Sequence, residues 1–297
     1  MAPKPLFGIM VAIITPLKAD GSLDHEALHA HINRMLDAGV HGFVPGGSTG
    51  EFATLSLDER KELMESVIKG VAGRAPVCAG IGALNTAEAL DLARHHAKIG
   101  ADALMVLPPF YEPPGKDELR SYLKDIHDET GLPLLYYNIP SITGQKLGPQ
   151  DLANLHDVGV KYLKDTSGDG PALTELLFGQ DKIIPFNGWD TLTFYGLAAG
   201  AQGSVWGATN FIPELSVALW NALAVEKDIQ KGRELWKKIW PIVNHLDTHT
   251  YYSASIKKGM ELRGWQAGGV RKPWSLVDQE FTKVLTGYLN SAGVKTV

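Results

Sequence analysis

Short apolar runs alternate with longer amphipathic stretches along most of the chain. The first run, residues 8–14, precedes residues 24–38, where Leu28, Ile32, Met35 and Leu36 recur at helical spacing on one face. A second run, 42–45, leads into a helix expected from about Asp58. Ser56 and Glu59 there have the spacing of a capping box, and Leu63, Met64, Val67, Ile68 and Val71 continue the apolar stripe. The same pattern predicts strands at 77–80, 103–107, 134–138, 160–164, 183–186 and 203–206, with helices starting near Thr86, Lys116, Pro149, Pro171 and Asp190.

A weak repeat supports this division. Asp37-Ala-Gly-Val-His-Gly42, Lys98-Ile-Gly-Ala-Asp-Ala103 and Ala198-Ala-Gly-Ala-Gln-Gly203 share one layout, and Asp157-Val-Gly-Val160 echoes it. Each places a glycine between a helix and the next strand, where a left-handed residue stops the helix at no steric cost. Repeated strand–helix units imply parallel strands with right-handed crossovers. Eight such units favour a closed (β/α)8 TIM barrel over an open sheet, and no Gly-x-Gly-x-x-Gly follows the first strand to suggest dinucleotide binding. After the eighth strand the chain reads as helical from about Pro213 to Leu289. The expected organisation is a barrel over residues 1–225 and a packed C-terminal helical segment over 226–297.

Composition narrows the class. With 44 % hydrophobic and 21 % charged residues the chain is an ordinary globular one, long enough at 297 residues to bury a core without staples. A net charge of −5 without a basic stripe makes nucleic acid an unexpected partner. No stretch is long and apolar enough to span a bilayer, and no signal peptide is evident. The single cysteine, Cys78, excludes an internal disulfide framework and reads as a small buried residue. A reducing cytoplasm is the expected location.

In such a barrel, chemistry occurs at the C-terminal ends of the strands. Lys164 ends the sixth. Period two puts Val160, Tyr162 and Lys164 on one face; if that face is inward, the amine stands at the mouth of an apolar well. Burial there disfavours an ammonium, and a neutral amine can attack a ketone to form a Schiff base. The bland alternative is a lysine reaching into solvent. Tyr136 and Tyr137 end the fifth strand, and either is placed to carry protons; periodicity does not choose between them, and both also fit plain packing. The loop Gly46-Gly-Ser-Thr-Gly-Glu51 combines close backbone approach with the hydroxyls of Ser48 and Thr49, a combination suited to a carboxylate. His25, His29, His31, His95 and His96 fall on outer helices and read as solvated surface. No His-x-His stands at a strand end, so no metal is expected.

Taken together, Gly47-Ser-Thr-Gly-Glu51, Tyr137-Asn-Ile-Pro140 and the Lys164 segment, in that order and spacing, resemble the dihydrodipicolinate synthase / N-acetylneuraminate lyase family over nearly the whole chain. The resemblance implies that Lys164 forms the Schiff base with pyruvate or another 2-keto acid, without a separate cofactor. It implies that Tyr137 is the acid/base beside it, that Ser48 and Tyr111 complete a hydroxyl relay, and that Tyr111 reaches a neighbouring subunit's site. Ser48 and Thr49 would hold the carboxylate, while Thr166, Gly188, Asp190 and Val205 would line the pocket. A homotetramer built from dimers is implied as well.

Departures from the family pattern bear on the substrate. Dihydrodipicolinate synthases carry an arginine where this chain has Ile142, and the nearby Lys146 lacks the same fork. Phe52, Leu57 and Leu84 replace polar residues of lysine-sensitive synthases, which implies no feedback inhibition by lysine. Thr191 and the bulky Trp206 argue against a large sugar substrate. The expected activity is thus a Schiff-base lyase, aldolase or dehydratase, for a small 2-keto acid such as a 2-keto-3-deoxy sugar acid. Condensation of pyruvate with aspartate semialdehyde is the alternative within the family. A non-catalytic sugar-acid binding protein is the alternative outside it.

Overall fold

The computed structural model describes residues 2–297. Its strands are β1 (Gly8–Val11), β2 (Gly42–Phe43), β3 (Cys78–Gly82), β4 (Ala103–Leu107), β5 (Leu134–Asn138), β6 (Val160–Asp165), β7 (Ile184–Asn187) and β8 (Gly203–Trp206). They pair in parallel in the order β2-β1-β8-β7-β6-β5-β4-β3. A parallel bridge from Phe43 to Val77 joins the two ends, so the sheet closes on itself. The (β/α)8 architecture expected from the alternating pattern is the one observed.

The first four helices, α1 (His25–Asp37), α2 (Leu57–Val71), α3 (Thr86–Ile99) and α4 (Lys116–Thr130), wrap the barrel. Next come α5 (Pro140–Thr143), α6 (Pro149–Ala153), α7 (Gly170–Phe178) and α8 (Thr193–Ala198). Ser56 and Glu59 form the reciprocal capping box at the start of α2. Gly39, Gly100, Gly159 and Gly200 have φ of 87°, 99°, 90° and 99°, so the repeated glycine does take the left-handed conformation inferred for it. The chain ends in α9 (Pro213–Trp220), α10 (Ile229–Leu246), α11 (Tyr252–Leu262) and α12 (Gln279–Ser291). The expected helical run to Leu289 is broken: residues 263–278 form an irregular segment between α11 and α12.

Apolar side chains gather in three bodies. Met10, Val44, Met105, Leu135, Tyr162 and Phe186 fill the barrel. Leu28, Val67, Leu92, Leu123 and Tyr136 pack strands against helices. Ile9, Ile14 and Trp206 pack against Ile239, Ile242, Ile256, Met260 and Leu285 of the C-terminal helices. Cys78 is buried in the barrel interior, and burial pushes its thiol well above the usual range.

Two expectations fail here. The register of β6 on β5 slips between Val160 and Tyr162, which pair with the consecutive residues Leu134 and Leu135. Such an extra residue breaks the period-two alternation. Val160 therefore packs among the strand–helix residues, and only Tyr162 and Lys164 share the inward face. Two of the five histidines are also not surface residues. His31 is buried and hydrogen-bonds Asn210 at 3.0 Å, and His96 is buried on α3. Both lie on the faces their helices turn toward the protein, where neutral imidazole is tolerated; burial lowers His31 to about 4 and His96 to about 3.

Candidate active site

The barrel mouth holds a cavity of about 170 Å³ lined by Lys164, Tyr137, Ser48, Thr49 and Thr166, among others. At ~30 Å³ per water, that is room for about six waters, or one small organic acid. Strand pairing builds its floor. Tyr137 pairs with Lys164 and Tyr136 with Leu163, so the two tyrosines face opposite ways. Tyr137 joins the interior, while Tyr136 is sealed between strands and helices, where burial raises its phenol. This resolves the choice that periodicity left open.

Lys164 is only 6 % exposed. Its Nζ lies 3.9 Å from the centre of the Tyr137 ring, so the amine packs directly over that aromatic face. Gly188 sits against the lysine stem. A Cβ there would fall 2.3 Å from Thr166 Oγ1 and 2.8 Å from Lys164 Cγ, so only glycine lets the lysine and the threonine share this corner. Thr166 Oγ1 is buried with no hydrogen-bond partner among the described residues, and Thr166 lines the cavity. Below the mouth, Asn138 Nδ2 donates to Asp165 Oδ1 at 2.7 Å and Ser167 Oγ donates to Asp165 Oδ2 at 3.0 Å, tying the ends of β5 and β6 together.

The Gly46–Glu51 loop forms another wall, as a turn rather than a strand. Thr15 Oγ1 donates to Gly50 O at 2.7 Å and anchors it to the segment after β1. Ser48 is exposed, Thr49 is buried, and both line the cavity. Neither backbone N–H meets an acceptor among the described residues. Two free N–H groups and two hydroxyls on residues that line one small space suit an anionic oxygen pair.

The far wall is acidic and partly unexpected. Asp190 is buried and accepts a 2.5 Å hydrogen bond from the Tyr252 hydroxyl. Burial, reinforced by the charge of Asp247, pushes the Asp190 carboxyl up to about 7. Burial likewise raises Asp247 to about 6, and the Tyr252 phenol rises far above its usual value. Asp247 and Tyr252 both line the cavity, yet both lie beyond the eight strands, at the end of α10 and the start of α11. Sequence reasoning missed them. The doublet Tyr251-Tyr252, at the start of α11, was the only signal.

Of the residues singled out from sequence, Lys164, Tyr137, Ser48, Thr49, Thr166, Gly188, Asp190 and Val205 meet around this one cavity. Tyr111 does not: it is 82 % exposed and outside the lining. Ile142 is 54 % exposed and forms part of the rim. Lys146 instead opens on a separate groove beside Asn138 and Asp165, so it does not stand in for an arginine at the cavity. Trp206 packs behind Asp190 among the C-terminal helices and does not line the cavity, and Thr191 Oγ1 accepts from Trp189 Nε1 at 2.9 Å, also outside the lining. The bulk of Trp206 therefore does not narrow the cavity directly. Among the described residues, no three His, Cys, Asp or Glu side chains group as a metal site. Among the described residues, no helix is long and apolar enough to cross a membrane.

A closed parallel barrel with a buried lysine and tyrosine at its mouth is the frame of a barrel lyase. Residues 5–292 match the model of the dihydrodipicolinate synthetase family. A 4-hydroxy-tetrahydrodipicolinate synthase of Methanopyrus kandleri is 34 % identical over 294 residues, covering 97 % of this chain and 96 % of that one. An uncharacterized DapA-like lyase of Halobacterium salinarum is 32 % identical, covering 98 % of this chain and 96 % of its own. Among solved structures, YagE of E. coli K12, crystallised with pyruvate, superposes with a TM-score of 0.91 at 29 % identity, covering 97 % of this chain and 99 % of YagE. The chain belongs to the dihydrodipicolinate synthetase family, and it is a lyase.

Proposed function

We propose that Lys164 forms an imine with a small 2-keto acid, and that the enzyme either cleaves such an acid reversibly to pyruvate and an aldehyde or dehydrates a 2-keto-3-deoxy sugar acid. The observation that carries this reading is the Lys164 amine, buried and held against Tyr137 in a cavity the size of a small acid. Nζ attacks C2, the carbonyl oxygen takes up a proton, and loss of water from the carbinolamine gives a protonated imine. In cleavage, the C4 hydroxyl loses its proton and the C3–C4 bond breaks. Its electron pair enters the imine as an enamine, which is protonated at C3 and hydrolysed to release pyruvate. In dehydration, a C3 proton leaves instead to give the enamine, the C4 hydroxyl takes up a proton and departs as water, and hydrolysis of the resulting conjugated imine frees the unsaturated keto acid and Lys164.

Tyr137 is the proposed proton carrier for these steps, with Ser48 beside it at the mouth. Ser48 and Thr49 are the proposed carboxylate holders. Thr166 Oγ1, Asp190 and the backbone at Gly188 are the proposed partners of substrate hydroxyls, with Val205 as apolar packing. The exposure of Tyr111 supports its assignment to a neighbouring copy's cavity in a homotetramer of dimers.

The test is direct. Incubate the protein with pyruvate, reduce with borohydride and take the intact mass. An adduct of one reduced pyruvate that disappears in Lys164→Ala is expected; no adduct, or one that persists in the variant, refutes the imine. The names of several relatives favour a second reading, condensation of pyruvate with aspartate semialdehyde. Ile142 on the rim offers the second substrate's carboxylate no charge. Efficient turnover of that pair would establish the second reading over the first.

A further inference from the structure

Glu51 closes the Gly46–Glu51 loop in a left-handed conformation, φ 58° and ψ 31°, which a side chain with a Cβ ordinarily avoids. It is also buried, and its carboxylate points away from the cavity that its neighbours line. Lys257 of α11, equally buried, places Nζ 2.5 Å from Glu51 Oε1 and donates to Gly269 O at 2.7 Å. The Tyr251 hydroxyl donates to Glu51 Oε2 at 3.2 Å, and Tyr251 is itself stacked on Trp274 with ring centres 4.3 Å apart. Two residues on, Ser253 Oγ donates to Ser48 O at 3.1 Å. The first turn and middle of α11 thus grip both ends of the Ser48–Glu51 stretch from outside.

Nothing in the proposed chemistry consumes the Glu51–Lys257 pair. A buried ion pair adds little stability over an apolar pair of the same size, so its presence points to a geometric role. We propose that Lys257, acting through Glu51, is a positioning residue that holds the Ser48–Thr49 amides and hydroxyls in the arrangement that receives the keto acid's carboxylate. The inference rests on the imine-forming function proposed above. Because Lys257 never touches the substrate, its loss loosens carboxylate capture while leaving the Lys164 amine and Tyr137 in place.

The experiment measures borohydride-trapped adduct on the full-length protein against pyruvate concentration, with thermal unfolding run alongside. Lys257→Met, the charge-free double variant Lys257→Met/Glu51→Gln, and the milder Tyr251→Phe are compared with wild type. In the first two, half-saturation is expected to rise about tenfold or more while the plateau of adduct stays near wild type. Tyr251→Phe is expected to raise it by about threefold, the loss of one hydrogen bond to a charged group being partial. A plateau that falls with half-saturation unchanged overturns the proposal, as does unchanged half-saturation in every folded variant. If Lys257→Met fails to fold, the double variant and Tyr251→Phe decide by the same readout. Absence of adduct in wild type at any pyruvate concentration sinks the imine itself, an outcome distinct from the other two.

Discussion

Asp190 gives a sharp handle on the cavity without reference to any substrate. Its carboxyl is raised from 3.8 to about 7, by burial first and by Asp247 second. At ~1.36 kcal/mol per unit, that displacement of about three units is worth ~4 kcal/mol in full. The folded pKa lies above the unfolded one, so this contribution is complete below about pH 4 and is lost as pH rises through about 7. Between pH 5 and pH 8 one such group removes ~2.5 kcal/mol of stability. Asp190→Asn keeps an acceptor for the Tyr252 hydroxyl but has no proton to lose. Relative to wild type, the variant should therefore gain ~2.5 kcal/mol between pH 5 and pH 8. At an unfolding entropy of ~2.1 cal/mol/K per residue over 297 residues, this is a relative change in Tm of ~4 °C. Buried His31 and His96 titrate in the opposite sense, but both proteins carry them and they cancel in the difference. The assay is urea unfolding and thermal melting of both proteins at matched concentration across that range. Asp247→Asn supplies a second arm: without the neighbouring charge, the Asp190 transition should move to lower pH. A wild-type-minus-variant difference flat to within ~0.5 kcal/mol from pH 5 to pH 8 would mean that Asp190 is solvated and charged, and the acidic wall as described would be wrong.

Gly188→Ala should fold but push Lys164 and Thr166 apart, because its methyl falls within van der Waals distance of both. Adduct formation with pyruvate should slow by about 10²-fold, the usual consequence of misplacing a reacting group by about an ångström; an unchanged rate would show that the corner can yield. His96 is buried with neither ring nitrogen partnered, and its pKa of about 3 means that its contribution, present above pH 6.5, is lost as pH falls toward 3. His96→Leu should match or exceed wild-type stability at pH 7 by ~1 kcal/mol and unfold at lower pH in an acid titration followed by circular dichroism. Destabilisation at pH 7 together with an unshifted acid midpoint would refute that account.

The barrel was legible because its signals are local. Apolar runs and helical stripes repeat at short range, and the glycine between Ala38 and Val40 returns between Ile99 and Ala101 with the same left-handed geometry. Lys164 was legible as a strand-end residue, although the face argument leaned on Val160, which the β-bulge turns outward. A bulge leaves no mark in the hydrophobic pattern, since valine suits either layer. His31 and His96 misled for a related reason: polar residues on a helix read as solvated unless their spacing from Leu28, Ile32 and Met35, or from Leu92 and Ala93, is weighed. Trp206 was assigned to the pocket by likeness, whereas β8 alternates and gives the cavity Val205 instead. Asp247, Tyr252 and Lys257 needed tertiary structure, because they reach the cavity or its anion loop from the α10–α11 stretch, distant in sequence. Lys257 did leave one trace. It shares the buried face of α11 with Ser253, Ile256 and Met260, an odd position for an uncompensated charge.

The cavity is not the property of the barrel alone. Its reacting amine stands on a strand of the eightfold repeat, whereas Asp247 and Tyr252 come from the helices that follow it. Grafting the stretch from α10 to α11 between homologous chains would therefore exchange one wall while leaving the amine, the phenol and the anion loop in their native sequence. Asp247 and Tyr252 shape one wall of that cavity, whereas Tyr251, Ser253 and Lys257 of the same stretch hold the anion loop, so one short segment carries both the shape of the wall and the grip on the carboxylate.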